Sequence, residues 1–191
     1  MSTKDDGRAR RRRKRRLAAA GIFLVVALAL AWVLEKQATT TVFIARYAET
    51  LDSPDGNPGL TAKGQRRAAE LARVLAAANV DRSVDAIFAT EWRNTQETVE
   101  PLAKQLGIPV QIVEEANVGG LRDLIEAGYK GRMVLVVTSP FAMNRLVRRL
   151  NGVYTMPEVA DGEHDRLYVL AVPWFGKVDT VSLRYGAPYR P

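Results

Sequence analysis

Two short polar segments, each directly after a run of apolar, mostly β-branched residues, contain the side chains best placed for chemistry. Arg46 and Tyr47 follow Thr41–Ala45 (TVFIA), and Thr138–Pro140 follows Met133–Val137 (MVLVV). In open α/β sheets, residues at the carboxyl ends of neighbouring strands line one crevice. An arginine there, beside free backbone amides at a helix start, can bind an anion such as phosphate. The pattern therefore predicts an anion site at these two strand ends.

Neither hydroxyl in these segments has an evident activating group. A tyrosine side chain of ordinary acidity is only about one part in a thousand ionised at pH 7. Ser139 needs a base beside it to act as a nucleophile. The single histidine, His164, precedes a late strand and is expected far from these strand ends. Structural roles stay open as well: Tyr47 as a pocket-filling aromatic, Ser139 as a helix N-cap, and Arg46 as an ion-pair partner of Glu49.

Alternating strands and helices must position these residues. Such an order predicts a three-layer α/β/α sandwich with a mostly parallel sheet. We expect a closing hairpin after the last helix. The expected strands are 41–45, 86–89, 110–113 and 133–137, with hairpin strands 166–172 and 178–184; the expected helices start after Thr61, run from about 94 to Gly107, and cover 118–128 and 140–150.

Four segments, in this order and at these spacings, resemble motifs of the histidine phosphatase superfamily, which has the phosphoglycerate-mutase-like fold. The family's opening Arg-His-(Gly/Ala)-Glu is matched by Arg46–Glu49, and its Leu-Thr-x-x-Gly helix start by Leu60–Gly64. Thr90–Val99 and Val136–Pro140 match the two later motifs. The chain end, from Asp165 to Gly186, is similar to that of small members of the family.

The resemblance implies a known chemistry and shows where this chain departs from it. In the family a histidine attacks phosphorus, two arginines and a second histidine bind the phosphoryl oxygens, and a carboxyl group protonates the leaving oxygen. The first arginine is kept as Arg46. The other three positions are changed: the nucleophile position holds Tyr47, the second arginine aligns with Asn94, and the second histidine position holds Ser139.

Three further residues enter through the resemblance. Arg93 lies next to Asn94 and is a candidate anion ligand beside Arg46 and Ser139, while Glu114 or Glu115 is a candidate acid. Because both catalytic histidines are missing, we expect a pseudophosphatase that binds a partner protein or an anionic, phosphorylated ligand. The alternative is an active phosphomonoesterase with a divergent catalytic site. No cofactor or metal is implied: the chain has no cysteine, and one histidine cannot build a multi-histidine metal site.

The N-terminal segment predicts a membrane anchor. Residues 1–16 contain nine basic and two acidic residues, which accounts for the whole net charge of +7. Residues 17–34 (LAAAGIFLVVALALAWVL) have no charge and are long enough, as a helix, to cross a bilayer core. The alternatives are a buried core helix and a cleaved signal peptide. Nucleic-acid binding through the tail is disfavoured, since the rest of the chain is electrically balanced.

The charge asymmetry also predicts orientation. Cationic flanks stay in the cytoplasm, and Trp32 suits the opposite interface. We therefore expect a single-pass protein of the cell (inner) membrane, with a basic cytoplasmic tail at 1–16 and a span at 17–34. A short linker at 35–40 would then lead to an extracytoplasmic, periplasmic domain at 41–191.

Overall fold

The computed structural model describes residues 3–37, 39–78, 83–151, 159–173 and 176–190. The chain forms two compact units, residues 1–37 and 38–191. The first is one helix, α1 (Thr3–Gln37), which includes the basic tail. Within it, Lys14–Trp32 is apolar and long enough to cross a membrane. The helix α1 ends at Gln37 and the first strand begins at Thr39, both within the range 35–40 expected for the linker.

The second unit alternates strands and helices in the predicted order, with most bounds within two residues of those expected. Its elements are β1 (Thr39–Arg46), α2 (Ala62–Ala76), β2 (Ala86–Thr90), α3 (Arg93–Leu106), β3 (Val110–Val113), α4 (Leu121–Gly128), β4 (Met133–Thr138), α5 (Pro140–Asn151), β5 (Arg166–Pro173) and β6 (Asp179–Arg184). The helix expected at 118–128 starts later, because Glu115–Gly120 forms a 3-10 helix ahead of α4.

Six strands form one sheet in the order β3-β2-β4-β1-β5-β6. The pairs β2–β3, β2–β4 and β1–β4 are parallel, as the alternation with helices predicts. The pairs β1–β5 and β5–β6 are antiparallel, so the sheet is mixed rather than mostly parallel. The cause is the closing hairpin: β5 joins β1 directly and runs back along it.

The predicted three layers are confirmed by the two apolar clusters on opposite faces of the sheet. Alternate residues of each strand point to opposite faces, so Phe43 and Ala45 of β1 pack with α2 and α3, while Val42 and Ile44 pack with α4 and α5. The predicted apolar stripe of α2 is buried, and it consists of Ala68, Leu71, Ala72 and Leu75.

Local signals fix two of the helix ends. The Thr61 side chain accepts a hydrogen bond from the Gly64 amide at 3.0 Å, the predicted N-cap of α2. Gly107 has φ 67°, the left-handed conformation that ends α3 at low cost for a glycine. Thr61 thereby bounds the loop that follows β1 and Arg46, whereas Gly107 bounds the loop that precedes β3.

Candidate functional site

Arg46 is a buried cation at the carboxyl edge of the sheet. It is the last residue of β1 and pairs in register with Thr138, the last residue of β4, so the two strand ends lie side by side as predicted. The side chain is only 6% exposed. Its Nη1 donates to the carbonyl oxygens of Ala160 at 2.9 Å and Glu163 at 3.5 Å.

The rest of this guanidinium lacks a partner of opposite charge. Its Nε is buried without a hydrogen bond, and no carboxylate of the described residues forms an ion pair with Arg46. Taking an unpaired charge out of water costs several kcal/mol, and the bidentate edge of an arginine fits oxyanions. An anion at this edge would compensate the buried charge.

Two more buried polar atoms at the carboxyl edge of the sheet lack partners among the described residues: Asn94 Oδ1, at the start of α3, and Thr138 Oγ1, at the end of β4. The start of α3, which holds Asn94, is attached to the loop after β1 through Thr98. The Thr98 hydroxyl donates to the Asn94 carbonyl at 2.7 Å and accepts from the Ala48 amide at 3.0 Å. Most buried polar groups are satisfied by protein, water or ligand, so three unsatisfied atoms at one crevice indicate a polar site.

Tyr47 packs directly against Arg46 at the end of β1. It is half-buried, and the Arg46 guanidinium carbon lies 5.1 Å from the centroid of its ring. Its amide donates to the Thr138 carbonyl at 3.2 Å. An aromatic ring under a guanidinium stabilises the cation while leaving the planar edge available.

His164 lies beside Tyr47, so the expectation that it is distant from the strand ends was wrong. It is 8% exposed, and its ring centroid lies 6.0 Å from that of Tyr47. The reason is the antiparallel pairing of β5 with β1, in which Leu167 stands opposite Ala45. The start of β5 therefore reaches the end of β1, and the preceding residues pass over Arg46. Sequence reasoning considered only the ends of parallel strands.

The tautomer of His164 follows from its hydrogen bond. Its Nδ1 lies 2.8 Å from the Tyr47 carbonyl oxygen, which can only accept, so Nδ1 carries the hydrogen. Burial lowers the pKa of His164; the bond to Tyr47 opposes this, and the nearby Arg46 lowers the pKa further. The imidazole is therefore neutral at pH 7, with the lone pair on Nε2.

Glu49 belongs to a separate ion pair. Its carboxylate accepts hydrogen bonds from Nε and Nη2 of Arg67, at 2.8 to 3.1 Å, and lies 3.1 Å from the Lys63 amine. The pairing of Glu49 with Arg46 that the sequence left open is therefore not present. Burial would raise the pKa of Glu49, but the hydrogen bonds from Arg67 and Lys63 outweigh it and lower the pKa to about 2.

Arg67 was not predicted from the sequence as a functional residue, and it also binds the backbone that follows β6. Its guanidinium donates to the carbonyl oxygens of Tyr185 and Ala187 at 3.1 to 3.2 Å. The available signal was its position: Arg67 falls on the buried stripe of α2, next to Ala68. A charged residue on an apolar stripe needs a buried partner.

Ser139 has the capping position expected of it. Its hydroxyl accepts a bond from the Ala142 amide at 3.3 Å, at the start of α5. The neighbouring Phe141 is 77% exposed, so the helix begins at the surface of the crevice. The capping contact leaves the anion-binding role of Ser139 as a prediction.

The remaining predicted site residues have other partners. Arg93 is 64% exposed and pairs with Glu97 at 2.6 Å. The Glu115 carboxylate accepts from the Trp92 indole at 2.5 Å, and Glu114 is exposed. None of the three contacts Arg46 or Tyr47 through a hydrogen bond or ion pair of the described residues. Their roles as anion ligand or acid stay predictions.

The three-layer sandwich and the arginine at the end of its central strand agree with the fold and the first motif that the resemblance implies. The recognition made from the motifs is confirmed: residues 42–117 match the model of the histidine phosphatase superfamily (branch 1). No curated protein sequence matches the chain.

Solved structures of phosphatases have this fold. The protein histidine phosphatase SixA, complexed with tungstate, is 16% identical with a TM-score of 0.61 over 75% of this chain and 96% of its own. A mycobacterial glucosyl-3-phosphoglycerate phosphatase is 12% identical, with a TM-score of 0.61 over 78% of this chain and 99% of its own. The α-ribazole phosphatase from Shigella flexneri is 18% identical, with a TM-score of 0.53 over 70% of this chain and 94% of its own. At such identities these likenesses establish the fold alone.

Proposed function

We propose that this chain is a membrane-anchored histidine-phosphatase-like protein whose domain binds an anionic, phosphate-bearing ligand at Arg46 without hydrolysing it. The observation that carries the proposal is the buried guanidinium of Arg46, which has no carboxylate partner among the described residues. The neutral partners of its Nη1 hold the side chain in place without neutralising its charge.

The absence of turnover rests on the two histidine positions of the family. These hold Tyr47 and Ser139, and the serine hydroxyl is engaged in capping α5. Removing one electrostatic contact to a transition state typically costs about 10² to 10³ in rate, and losing the nucleophile removes the covalent route altogether. A partner protein that presents an acidic or phosphorylated side chain would use the same contact.

Binding is tested by thermal stabilisation of the full-length chain in a non-ionic detergent. At sulfate or phosphate concentrations of ten times Kd, mass action stabilises a protein by about 1.4 kcal/mol, which raises the Tm of a domain this size by about 3 to 6 °C. The shift should vanish in Arg46→Ala. It should persist in Arg148→Ala, which removes an exposed arginine on α5 and serves as the matched control. An equal shift in wild type and Arg46→Ala would refute the assigned site.

A second candidate function, hydrolysis by a divergent site, is favoured by one observation. His164 brings an imidazole beside Tyr47, where the family has its nucleophile. Hydrolysis would also need an acid for the leaving group, and the carboxylate of Glu115 is bonded to Trp92. A phosphoenzyme that is labile to acid, formed by wild type and lost in His164→Gln, would support this second candidate.

Membrane orientation is part of the proposal. The apolar stretch of α1 supports a single pass through the cell (inner) membrane, and the basic flank supports a cytoplasmic N-terminus with the domain outside. A reporter that works only in the cytoplasm, fused after residue 191, should give no signal. A strong signal would reverse the orientation.

A further inference from the structure

The residues directly before β5 contact Arg46 and Tyr47 at the candidate anion site. Glu163 and Ala160 accept hydrogen bonds from the guanidinium, and the next residue, His164, is bonded to the Tyr47 carbonyl. Arg46 and His164 thus both contact Tyr47 at the end of β1, and the arginine and the histidine are both more than nine-tenths buried.

Because Nδ1 of His164 is bonded to the Tyr47 carbonyl, protonation of the imidazole changes only Nε2. Nδ1 carries a hydrogen in both the neutral tautomer seen here and the imidazolium ion, so protonation leaves the bond to Tyr47 intact. What changes is Nε2, which has no hydrogen-bond partner among the described residues. When neutral, Nε2 presents a lone pair that repels an anion; when protonated, it presents a charged donor.

We propose that His164 is a proton-dependent ligand of the anion site, supplying a second cationic contact to an oxyanion held by Arg46. The inference rests on the proposed function, since it presupposes that Arg46 binds the anion. It assigns to this chain a regulation of that site: the ligand is held more tightly in acidic surroundings and released as the pH rises.

The charged groups around His164 keep their charge between pH 5 and 8, so His164 is the group that titrates. Arg46 from β1 and Arg67 from α2 disfavour the imidazolium, and Glu49, from the loop after β1, favours it. Arginine stays protonated throughout the range used here, and Glu49, with a pKa of about 2, stays ionised. A bound dianion would offset the two arginines and raise the pKa of His164. The affinity for the anion must then increase as the pH falls through the pKa of the bound state.

The test uses sulfate, because it remains a dianion between pH 5 and 8 and so adds no titration of its own. Calorimetry on the full-length chain in detergent should show affinity for sulfate rising about tenfold between pH 7.5 and 5.5, the limit for one proton being tenfold per pH unit. His164→Gln keeps a neutral donor and should bind with less than a twofold change over this range. Arg46→Ala, which retains the basic tail, measures the binding outside the site, and this binding is subtracted from that of the wild type.

A second measurement needs no variant, since the chain has one histidine and therefore one imidazole signal. Saturating sulfate should move the midpoint of that signal's pH titration upward by about one pH unit, the counterpart of a tenfold change in affinity. Arg46-dependent binding that is equal at both pH values, or a midpoint unmoved by sulfate, overturns the inference and leaves the proposed function standing. The absence of any Arg46-dependent binding overturns both.

Discussion

The ion pair between Glu49 and Arg67 supports the loop that follows Arg46 and Tyr47, and its removal tests how the site is held. Replacing Glu49 with glutamine keeps the shape of the side chain and removes the charge. Arg67, which is 5% exposed, would then keep its bonds to Tyr185 and Ala187 but have no carboxylate. Breaking a buried pair by removing one partner typically costs about 3 to 5 kcal/mol.

The magnitude can also be obtained from the pKa. In the folded chain the pKa of Glu49 is lowered from 4.5 to about 2. A carboxylate whose pKa is lower in the folded than in the unfolded chain stabilises the folded state at pH values above its unfolded pKa. This stabilisation is lost as the pH falls toward the folded pKa. The difference corresponds to about 3 kcal/mol at pH 7 and to about 1.4 kcal/mol at pH 3. We therefore expect the destabilisation by Glu49→Gln to shrink by about half between these pH values.

The assay is urea unfolding of the full-length chain in detergent, followed by near-ultraviolet circular dichroism, at pH 7 and pH 3. Lys63→Ala is the matched control, because the Lys63 side chain is 63% exposed and its contact with Glu49 should contribute less than about 1 kcal/mol. A cost for Glu49→Gln that is below 1 kcal/mol at pH 7, or that is equal at both pH values, would refute the reasoning.

Two other predictions concern catalysis and packing. Purified wild type should not hydrolyse simple phosphomonoesters above background. Neither Tyr47→His nor Ser139→His alone should gain activity, whereas weak activity in the triple variant with Asn94→Arg would support the motif alignment, since such residues act as a unit. Turnover in wild type that survives repurification and is lost in Tyr47→Phe would contradict this. Gly64→Ala should cost at least about 2 kcal/mol in urea unfolding, because its Cβ would stand 2.2 Å from a backbone oxygen of the loop after β1. Gly128→Ala, with no atom within 4 Å of its Cβ, is the control and should be within about 1 kcal/mol of wild type.

The sequence was informative wherever a local pattern decides the structure. Apolar runs located every strand of the sheet, and Thr61 and Gly107 marked helix ends because their side chain or backbone freedom acts within one turn. The strand ends that hold Arg46 and Ser139 were placed correctly for the same reason, since parallel strands around a helix share one carboxyl edge.

The misses share a long-range cause. Nothing near His164 in the sequence tells which strand β5 will join, and pairing with β1 alone brings the histidine to Tyr47. The pairing of Glu49 with Arg67 likewise depends on how α2 packs, which the residues near Glu49 in the sequence do not tell. The 3-10 helix ahead of α4 was missed because its apolar spacing is similar to that of an α-helix.

The hydrogen bonds of Arg67 to residues 185 and 187 have a consequence for biosynthesis. They join positions 118 and 120 residues apart, and β1 itself is flanked on one side by β5. The ribosome therefore makes the two ends of this cluster at well-separated times. Until β5 has been synthesised, the central strand has an open edge, and Arg67 lacks its carbonyl partners until the segment after β6 follows. Such an incomplete sheet exposes strand edges that aggregate or engage chaperones. We expect the domain to complete its folding only after residues 185–187 have left the ribosome, so that chains shortened before them are targets for quality control.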